Sequence, residues 1–281
     1  MTAILKNYAA DGTQALPLYH WPATESAVKP PVVLLHSLFF DGTMFENCVR
    51  FLSKQRDCYA PTFRGQCNVD TGNVTPTIER LALDIAYLVD QLELDKFHLV
   101  GSSMGAYVAM EMIRRHNQQI ASLTLSCCTA EVEKNPERFA QLSQYLSDGP
   151  QNDSKERISR LMMGQSSLRN PTSIINHWVN KFANISRNMS VVVDCVFAHP
   201  GYEDVLATYT SPALLIAGRE DRAKSVEDMT RIANQLTQAQ TLVFETSGHT
   251  PAVEAPELFG SEIGRFLNSV DSTQPTTTKR N

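Results

Sequence analysis

The sequence predicts an α/β protein with a mostly parallel sheet and helices on both faces of it. The chain has 281 residues, of which 42% are apolar, enough for one large domain plus an insertion. Short apolar runs rich in branched residues recur along it, as parallel strands buried on both faces require, and amphipathic segments separate most of them. The runs are Pro31 to His36, Cys58 to Thr62, Phe97 to Val100, Ala121 to Leu125, Ala213 to Ala217 and Thr241 to Phe244.

The first element in chain order is a predicted β-hairpin between residues 4 and 21. Two alternating segments flank Asp11-Gly12, a turn pair that accepts positive φ. Thr75-Pro76, a cap followed by a first-turn proline, then predicts the start of a helix with an apolar stripe. The stripe contains Ile78, Leu81, Ala82, Ile85, Val89 and Leu92. Another helix is predicted after Ser103, running toward Arg114.

Residues 131–209 interrupt the alternation of strands and helices. They contain several helical patterns and no convincing strand, which predicts a helical cap inserted between two core strands. The alternative is that these helices only complete the core. The predicted division is a core of residues 1–130 and 210–270, a cap of residues 131–209, and a polar, threonine-rich tail of residues 271–281 that is expected to be disordered.

Composition and charge exclude several classes of function. The net charge of -5, without a basic stripe, argues against nucleic acid as a partner. The chain has no apolar run of about 18 residues and no secretory signal pattern, so no membrane partner and a cytoplasmic location are expected. Its six cysteines have no metal-ligand spacing and are interpreted as small buried hydrophobic residues. No metal or organic cofactor is predicted, and nothing in the sequence indicates an oligomeric state.

Residues 101–105 read Gly-Ser-Ser-Met-Gly and connect a predicted strand to a predicted helix. A serine hydroxyl becomes a useful nucleophile when a tight turn presents it next to a base, and such a turn needs neighbours that are almost free of side chains. Gly101 and Gly105 meet that requirement, so Ser103 is the candidate nucleophile. The pattern G-x-S-x-G also occurs by chance, so it needs support from a base and a carboxylate elsewhere.

Two later strand ends provide candidates for these partners. The strand ending at Ala217 is followed by Gly-Arg-Glu-Asp, which places Asp221 where it could orient a base, with Glu220 as the competing carboxylate. The strand ending at Phe244 is followed by a loop with a glycine directly before His249. We therefore expect His249 to be the general base and Asp221 to orient it.

An acyl-transfer site also needs donors for the developing oxyanion. The backbone N–H of Met104, directly after Ser103, is one candidate. The loop after the first buried strand is placed to supply the second, and the N–H of Leu38 is the candidate there; the alternative is an ordinary apolar loop. The predicted pocket is mostly apolar, with Leu38, Phe39, Phe40 and Met104 around the turn and Met162, Met163 and Trp178 from the cap.

Together these segments resemble the α/β-hydrolase superfamily, and within it the small capped esterases and lactonases related to 3-oxoadipate enol-lactonases. The order Ser103, Asp221, His249 is that family's order of nucleophile, acid and base, and residues 248–256 read Gly-His-Thr-Pro-Ala-Val-Glu-Ala-Pro, similar to a run in the family. The chain departs from the family pattern at Ser37, where glycine usually follows the histidine. It also departs from it in the loop at residues 62–69 and at Ala106.

The resemblance implies an α/β-hydrolase fold and a serine hydrolase that cleaves a carboxylic ester or a lactone through an acyl-enzyme, with a small-molecule substrate. Two alternatives stay open at this point. One is hydrolysis of a carbon–carbon bond in a ring-fission product, which uses the same three residues. The other is a ligand receptor that retains the triad.

Overall fold

An eight-stranded sheet forms the centre of the fold in the computed structural model, which describes residues 2–10, 14–26, 29–67, 69–149 and 152–273. The strand order is β1-β2-β4-β3-β5-β6-β7-β8. The bounds are β1 (Ile4–Ala10), β2 (Gln14–Trp21), β3 (Val32–Leu35), β4 (Cys58–Pro61), β5 (Phe97–Ser102), β6 (Ile120–Ser126), β7 (Ala213–Gly218) and β8 (Ala239–Phe244). Each predicted apolar run forms a strand.

The strand directions match the predicted parallel sheet. Strands β3 to β8 pair in parallel, whereas β1 with β2 and β2 with β4 are antiparallel. All residues of β3, β5, β6 and β7 are buried, because helices cover both faces of the sheet there. The predicted turn at Asp11-Gly12 lies outside the described residues, but the strands beside it pair as the hairpin prediction requires.

Eleven α-helices occur in the described residues. Their bounds are α1 (Ile78–Gln91), α2 (Met104–His116), α3 (Pro136–Ser147), α4 (Ser154–Met162), α5 (Gln165–Arg169), α6 (Ser173–Lys181), α7 (Met189–Phe197), α8 (Glu203–Leu206), α9 (Val226–Ala233), α10 (Pro251–Glu254) and α11 (Pro256–Thr273). The predicted cap of α1 is wrong by two residues: Thr77, in extended conformation, accepts a hydrogen bond from the Arg80 N–H. None of these helices is both long and apolar enough to span a bilayer.

Helices α3 to α8 follow one another between β6 and β7, and we call residues 136–206 the helical segment. Its described residues contain no strand, as the sequence predicts. Helix α6 packs against α10, which directly follows the loop after β8. The helical segment therefore contacts the core next to the carboxyl end of the sheet.

The prediction of a disordered tail from residue 271 is wrong for residues 271–273, which form the last turn of α11. The physical reason is a buried polar contact. The Asp271 carboxylate accepts hydrogen bonds from Arg56 and from His98, both of which are buried. These partners are distant in sequence, so the local composition gave no sign of them. Residues 274–281 lie outside the described residues.

Candidate active site

Ser103 occupies a strained turn between β5 and α2. Its φ of 52° and ψ of -112° lie outside the regions that most side chains adopt. A Cβ at Gly101 would lie 2.4 Å from the carbonyl oxygen of Gly105, and a Cβ at Gly105 would lie 2.1 Å from that of Leu35. The turn thus requires both glycines, and it presents the Ser103 hydroxyl at the carboxyl end of β5.

The structure brings Ser103, His249 and Asp221 together. The distance between His249 Nε2 and Ser103 Oγ is 2.7 Å, and that between His249 Nδ1 and Asp221 Oδ2 is also 2.7 Å. The Asp221 side chain is fully buried, and its other oxygen accepts hydrogen bonds from the N–H groups of Ala223 and Lys224. A carboxylate can only accept, so Nδ1 carries the proton, and Nε2 is free to accept the hydroxyl proton of Ser103.

Glu220, the competing carboxylate, projects away from His249. Its side chain accepts hydrogen bonds from the N–H and the hydroxyl of Ser166, in the helical segment. These hydrogen bonds hold the pKa of Glu220 below its usual value. Glu220 therefore connects the loop after β7 to the helical segment, while Asp221 faces the imidazole.

In the loop after β3, the two N–H groups that follow Leu38 already donate to acceptors within the protein. The Phe39 N–H donates to Oε1 of Gln66 at 3.0 Å, and the Phe40 N–H donates to the Ser37 carbonyl at 3.2 Å. The N–H groups of Leu38 and Met104 have no acceptor among the described residues. They are thus available to an oxygen of a bound substrate.

Gln66 is a residue that the sequence prediction missed. It is fully buried, and its amide oxygen accepts the Phe39 N–H while its amide nitrogen lies 3.6 Å from the Met104 sulfur. It thus bridges the two segments that hold the candidate oxyanion donors. The next residue, Cys67, has a φ of 45°, in the left-handed region that favours glycine. The signal in the sequence was the departure of this loop from the family pattern.

Ser37, another departure, is accommodated by hydrogen bonds. Its hydroxyl lies 3.2 Å from the Ser102 carbonyl and 2.9 Å from the Ser102 hydroxyl, which links the candidate oxyanion loop, residues 36–41 after β3, to β5. His36 supports the same loop: Nδ1 donates to the Ser37 carbonyl and Nε2 accepts the Phe63 N–H. Burial lowers the pKa of His36 to about 4, so the imidazole is neutral at pH 7 and keeps this pattern.

One group of potential metal ligands occurs among the described residues. The ligand atoms of Cys127, Asp221 and His249 lie within 4.8 Å of one another. However, one Asp221 oxygen is held by two backbone N–H groups and the other by the imidazole, so both are already engaged. The arrangement fits a carboxylate–imidazole pair better than an ion site, and the expectation of no metal stays a prediction.

A cavity of about 460 Å³ lies beside the candidate oxyanion loop. Phe39 and Cys67 line it from the core, and Lys181 and Met189 line it from the helical segment. Lys181 forms an ion pair with Asp41 at 2.9 Å, which joins the helical segment to the core. Of the predicted pocket residues, Trp178 packs on Phe40 with a ring-centroid distance of 4.5 Å, and Met162 and Met163 are buried as well.

Comparisons with known proteins agree with this architecture. A family model described as the alpha/beta hydrolase fold matches residues 30–256. The monoacylglycerol lipase ABHD6 of Rattus norvegicus is 24% identical in an alignment 261 positions long that covers 86% of this chain and 76% of that protein. A thermophilic esterase from Thermogutta terrifontis has a TM-score of 0.84 at 24% identity, covering 96% of this chain and 100% of that one. The enol-lactonase from Burkholderia xenovorans LB400 has a TM-score of 0.84 at 19% identity, with coverages of 94% and 100%. Because the family model spans most of the sequence, the chain belongs to the alpha/beta hydrolase fold family.

Proposed function

We propose that this α/β hydrolase cleaves a carboxylic ester or a lactone through an acyl-enzyme, with Ser103, His249 and Asp221 as a catalytic triad. The observation that carries the proposal is the continuous hydrogen-bonded chain from Asp221 through His249 to a serine in a strained turn. Similar proteins whose names state a lipase, an esterase and an enol-lactonase support the choice of ester chemistry.

Acylation begins when Ser103 Oγ attacks the carbonyl carbon and its proton passes to His249 Nε2. The imidazolium that forms keeps its Nδ1 proton, which stays hydrogen-bonded to the buried Asp221 carboxylate. When the carbon–oxygen bond of the substrate breaks, Nε2 returns the proton to the leaving alkoxide. An ester releases an alcohol at this step, whereas the hydroxyl from a lactone remains attached to the acyl group.

Deacylation repeats these steps with water. His249 Nε2 takes a proton from the water as the oxygen attacks the acyl carbon, and then donates it to Ser103 Oγ as the acid leaves. In both half-reactions the carbonyl oxygen becomes an oxyanion, and we assign the N–H groups of Leu38 and Met104 as its donors. Each such donor is worth about 3 kcal/mol of barrier.

In this proposal the helical segment is part of a cap over the site. We keep the domain division predicted from the sequence, in which a cap of residues 131–209 is inserted into a core of residues 1–130 and 210–270. Ser103 and His249 are only 7% and 5% exposed, so the reacting groups are screened from bulk water. The cavity between Phe39 and Lys181 is the proposed access route, because it adjoins the candidate oxyanion loop. A cytoplasmic location, also predicted from the sequence, belongs to the same proposal and is tested by cell fractionation.

A substrate panel tests the reaction class. The panel contains p-nitrophenyl esters of increasing acyl length, small lactones and ring-fission dienones, assayed with the parent protein and with Ser103→Ala. We expect multiple turnovers on esters or lactones by the parent and loss of that activity in the variant. Turnover on dienones alone would indicate a carbon–carbon bond hydrolase. A single turnover that leaves the product on the protein would indicate a receptor.

A further inference from the structure

The Glu254 carboxylate connects the loop that carries His249 to the helical segment. Its oxygens accept the N–H of Gly248 at 2.9 Å and the N–H of Thr250 at 3.0 Å, the two residues on either side of His249. The same carboxylate accepts the N–H of Gly164 at 2.7 Å and the hydroxyl of Ser167 at 2.7 Å. One side chain therefore holds both neighbours of His249 and one turn of the helical segment.

The backbone of the helical segment at Gly164 is in contact with the backbone of the His249 loop at Gly248. A Cβ at Gly248 would lie 2.2 Å from the Gly164 nitrogen, and a Cβ at Gly164 would lie 2.8 Å from the Gly248 nitrogen. The Thr250 hydroxyl also donates to the Met162 carbonyl at 2.8 Å. With no side chain between them, a displacement of residues 162–167 is transmitted directly to the loop that holds His249.

Residues 164–167 are held by a second carboxylate. Glu220, directly before Asp221, accepts the Ser166 N–H at 2.7 Å. The loops after β7 and β8, which carry the acid and the base, are thus both hydrogen-bonded to the same turn of the helical segment. Hydrogen bonds to a carboxylate are about twice as strong as those between neutral groups, so these contacts restrain the two loops more than ordinary loop contacts would.

We propose that Glu254 is a positioning residue for catalysis, which fixes the His249 imidazole by tying its loop to residues 164–167. The inference rests on the proposed function, because it assumes that His249 is the base. It adds that the helical segment holds the base in place as well as covering the site. A misplacement of about 1 Å in a catalytic group costs on the order of 100-fold in rate, so a modest loop shift has a large effect.

The first test is Glu254→Gln, which keeps the size of the side chain and replaces one accepting oxygen with an NH2 donor that faces N–H and O–H donors. We expect kcat on p-nitrophenyl acetate to fall by about 10- to 100-fold, with KM changed less than about threefold. The control is Glu257→Gln. The Glu257 side chain is 75% exposed and pairs with Arg50 on the surface, so this variant keeps parent kinetics.

The second test starts from the helical segment. Gly164→Ala places a methyl group against the Gly248 nitrogen and Glu254, so we expect a fall in kcat similar to that of Glu254→Gln. Ser167→Ala removes one donor and leaves the backbone contact intact, so its fall is about threefold or less. If Glu254→Gln does not fold, these two variants decide the inference.

A spectroscopic readout separates positioning from general stability. The Nδ1 proton of His249, hydrogen-bonded to Asp221, is expected to give a downfield proton resonance. We expect this resonance to broaden or shift in Glu254→Gln and Gly164→Ala while circular dichroism stays unchanged. Parent kcat and an unchanged resonance in both variants would overturn the inference. Full activity in Ser103→Ala would instead overturn the proposed function, so the two failures are distinguishable.

Discussion

Two Ser–His–Asp arrangements lie along β5, one at each end of the strand. At the carboxyl end, Ser103 and Asp221 contact His249. At the other end, His98 Nδ1 lies 2.8 Å from Ser122 Oγ, and His98 Nε2 lies 3.1 Å from Asp271 Oδ1. The residue types match and the distances differ by at most 0.4 Å, yet the surroundings give the two sets different chemistry.

The backbone conformation at the serine distinguishes the two sets. Ser122 lies within β6, opposite His98 in the ladder, and both side chains are fully buried. Ser103 lies beyond its strand, in a strained turn next to the Met104 N–H, which has no acceptor among the described residues. Burial also lowers the pKa of His98, so its imidazole resists the protonation that a general base must undergo. The strained turn and the N–H groups that lack an acceptor among the described residues, rather than the three residue types, therefore mark the candidate catalytic set.

The largest expected contrast is between the two serines. Ser103→Ala removes the proposed nucleophile, so we expect ester hydrolysis to fall about 10⁴-fold or more. Ser122→Ala removes one buried hydrogen bond, so kcat stays within about threefold and the free energy of unfolding falls by about 1 kcal/mol. Steady-state kinetics and urea denaturation measure both effects. A severe loss of kcat in a folded Ser122→Ala would refute the comparison.

The two aspartates give the next contrast. Asp221→Asn is expected to lower kcat about 10⁴-fold with the fold intact, because the amide no longer fixes the His249 tautomer. Asp271→Asn leaves the buried Arg56 without its carboxylate partner, so it lowers the free energy of unfolding by about 3 kcal/mol and spares kcat. Unchanged kinetics in Asp221→Asn, together with a loss of kcat in Glu220→Gln, would assign the role of the acid to Glu220.

A smaller effect is expected at Gln66, which has no counterpart in the His98 arrangement. Gln66→Ala leaves the Phe39 N–H without its acceptor and opens space beside Met104. We expect the loop that carries the Leu38 N–H to shift and kcat to fall about 10- to 100-fold, less than the cost of removing the nucleophile. Gln66→Glu keeps an acceptor for Phe39 and tests whether that hydrogen bond matters. Parent kcat in Gln66→Ala would show that the bridge is dispensable.

The last prediction concerns acid stability rather than turnover. Burial lowers the pKa values of His36 and His199 to about 4. The unfolded chain therefore binds protons first, and stability that is present above pH about 6.5 is lost as the pH falls toward 4, by up to about 1.4 kcal/mol per pH unit for each group. We expect Tm to fall over this range and the slope to become shallower in His199→Phe, which keeps the stacking on Tyr107. A slope unchanged in His199→Phe would contradict this assignment.

The strands and the strained turn were predictable because their signals are local. A buried strand shows as an apolar run, and the turn at Ser103 needs glycines at fixed positions beside it. The choice of Asp221 over Glu220 is also local, because Glu220 lies one residue nearer the strand and is expected to project the other way. The structure shows Glu220 turned to the helical segment. The triad roles themselves stay predictions until activity is measured.

The supporting contacts could not be predicted because they join residues far apart in sequence. Asp271 lies 173 residues from His98, so the composition of residues 271–281, which suggests disorder, gives no sign of this contact. Glu254 lies 90 residues from Gly164, and only the fold brings them together. Gln66 likewise gains its importance from a loop 27 residues earlier. Local sequence thus indicates where reacting groups lie, whereas their support depends on tertiary packing.

Fluorophosphonate labelling with peptide mass mapping tests the central claim most directly. The reagent modifies a serine that an adjacent base activates, so it distinguishes Ser103 from Ser122 in one experiment. We predict a single modified site at Ser103, loss of esterase activity in proportion to labelling, and no labelling of Ser103→Ala. Modification at another residue, or full labelling of Ser103→Ala, would contradict the claim that Ser103, His249 and Asp221 form the reactive centre.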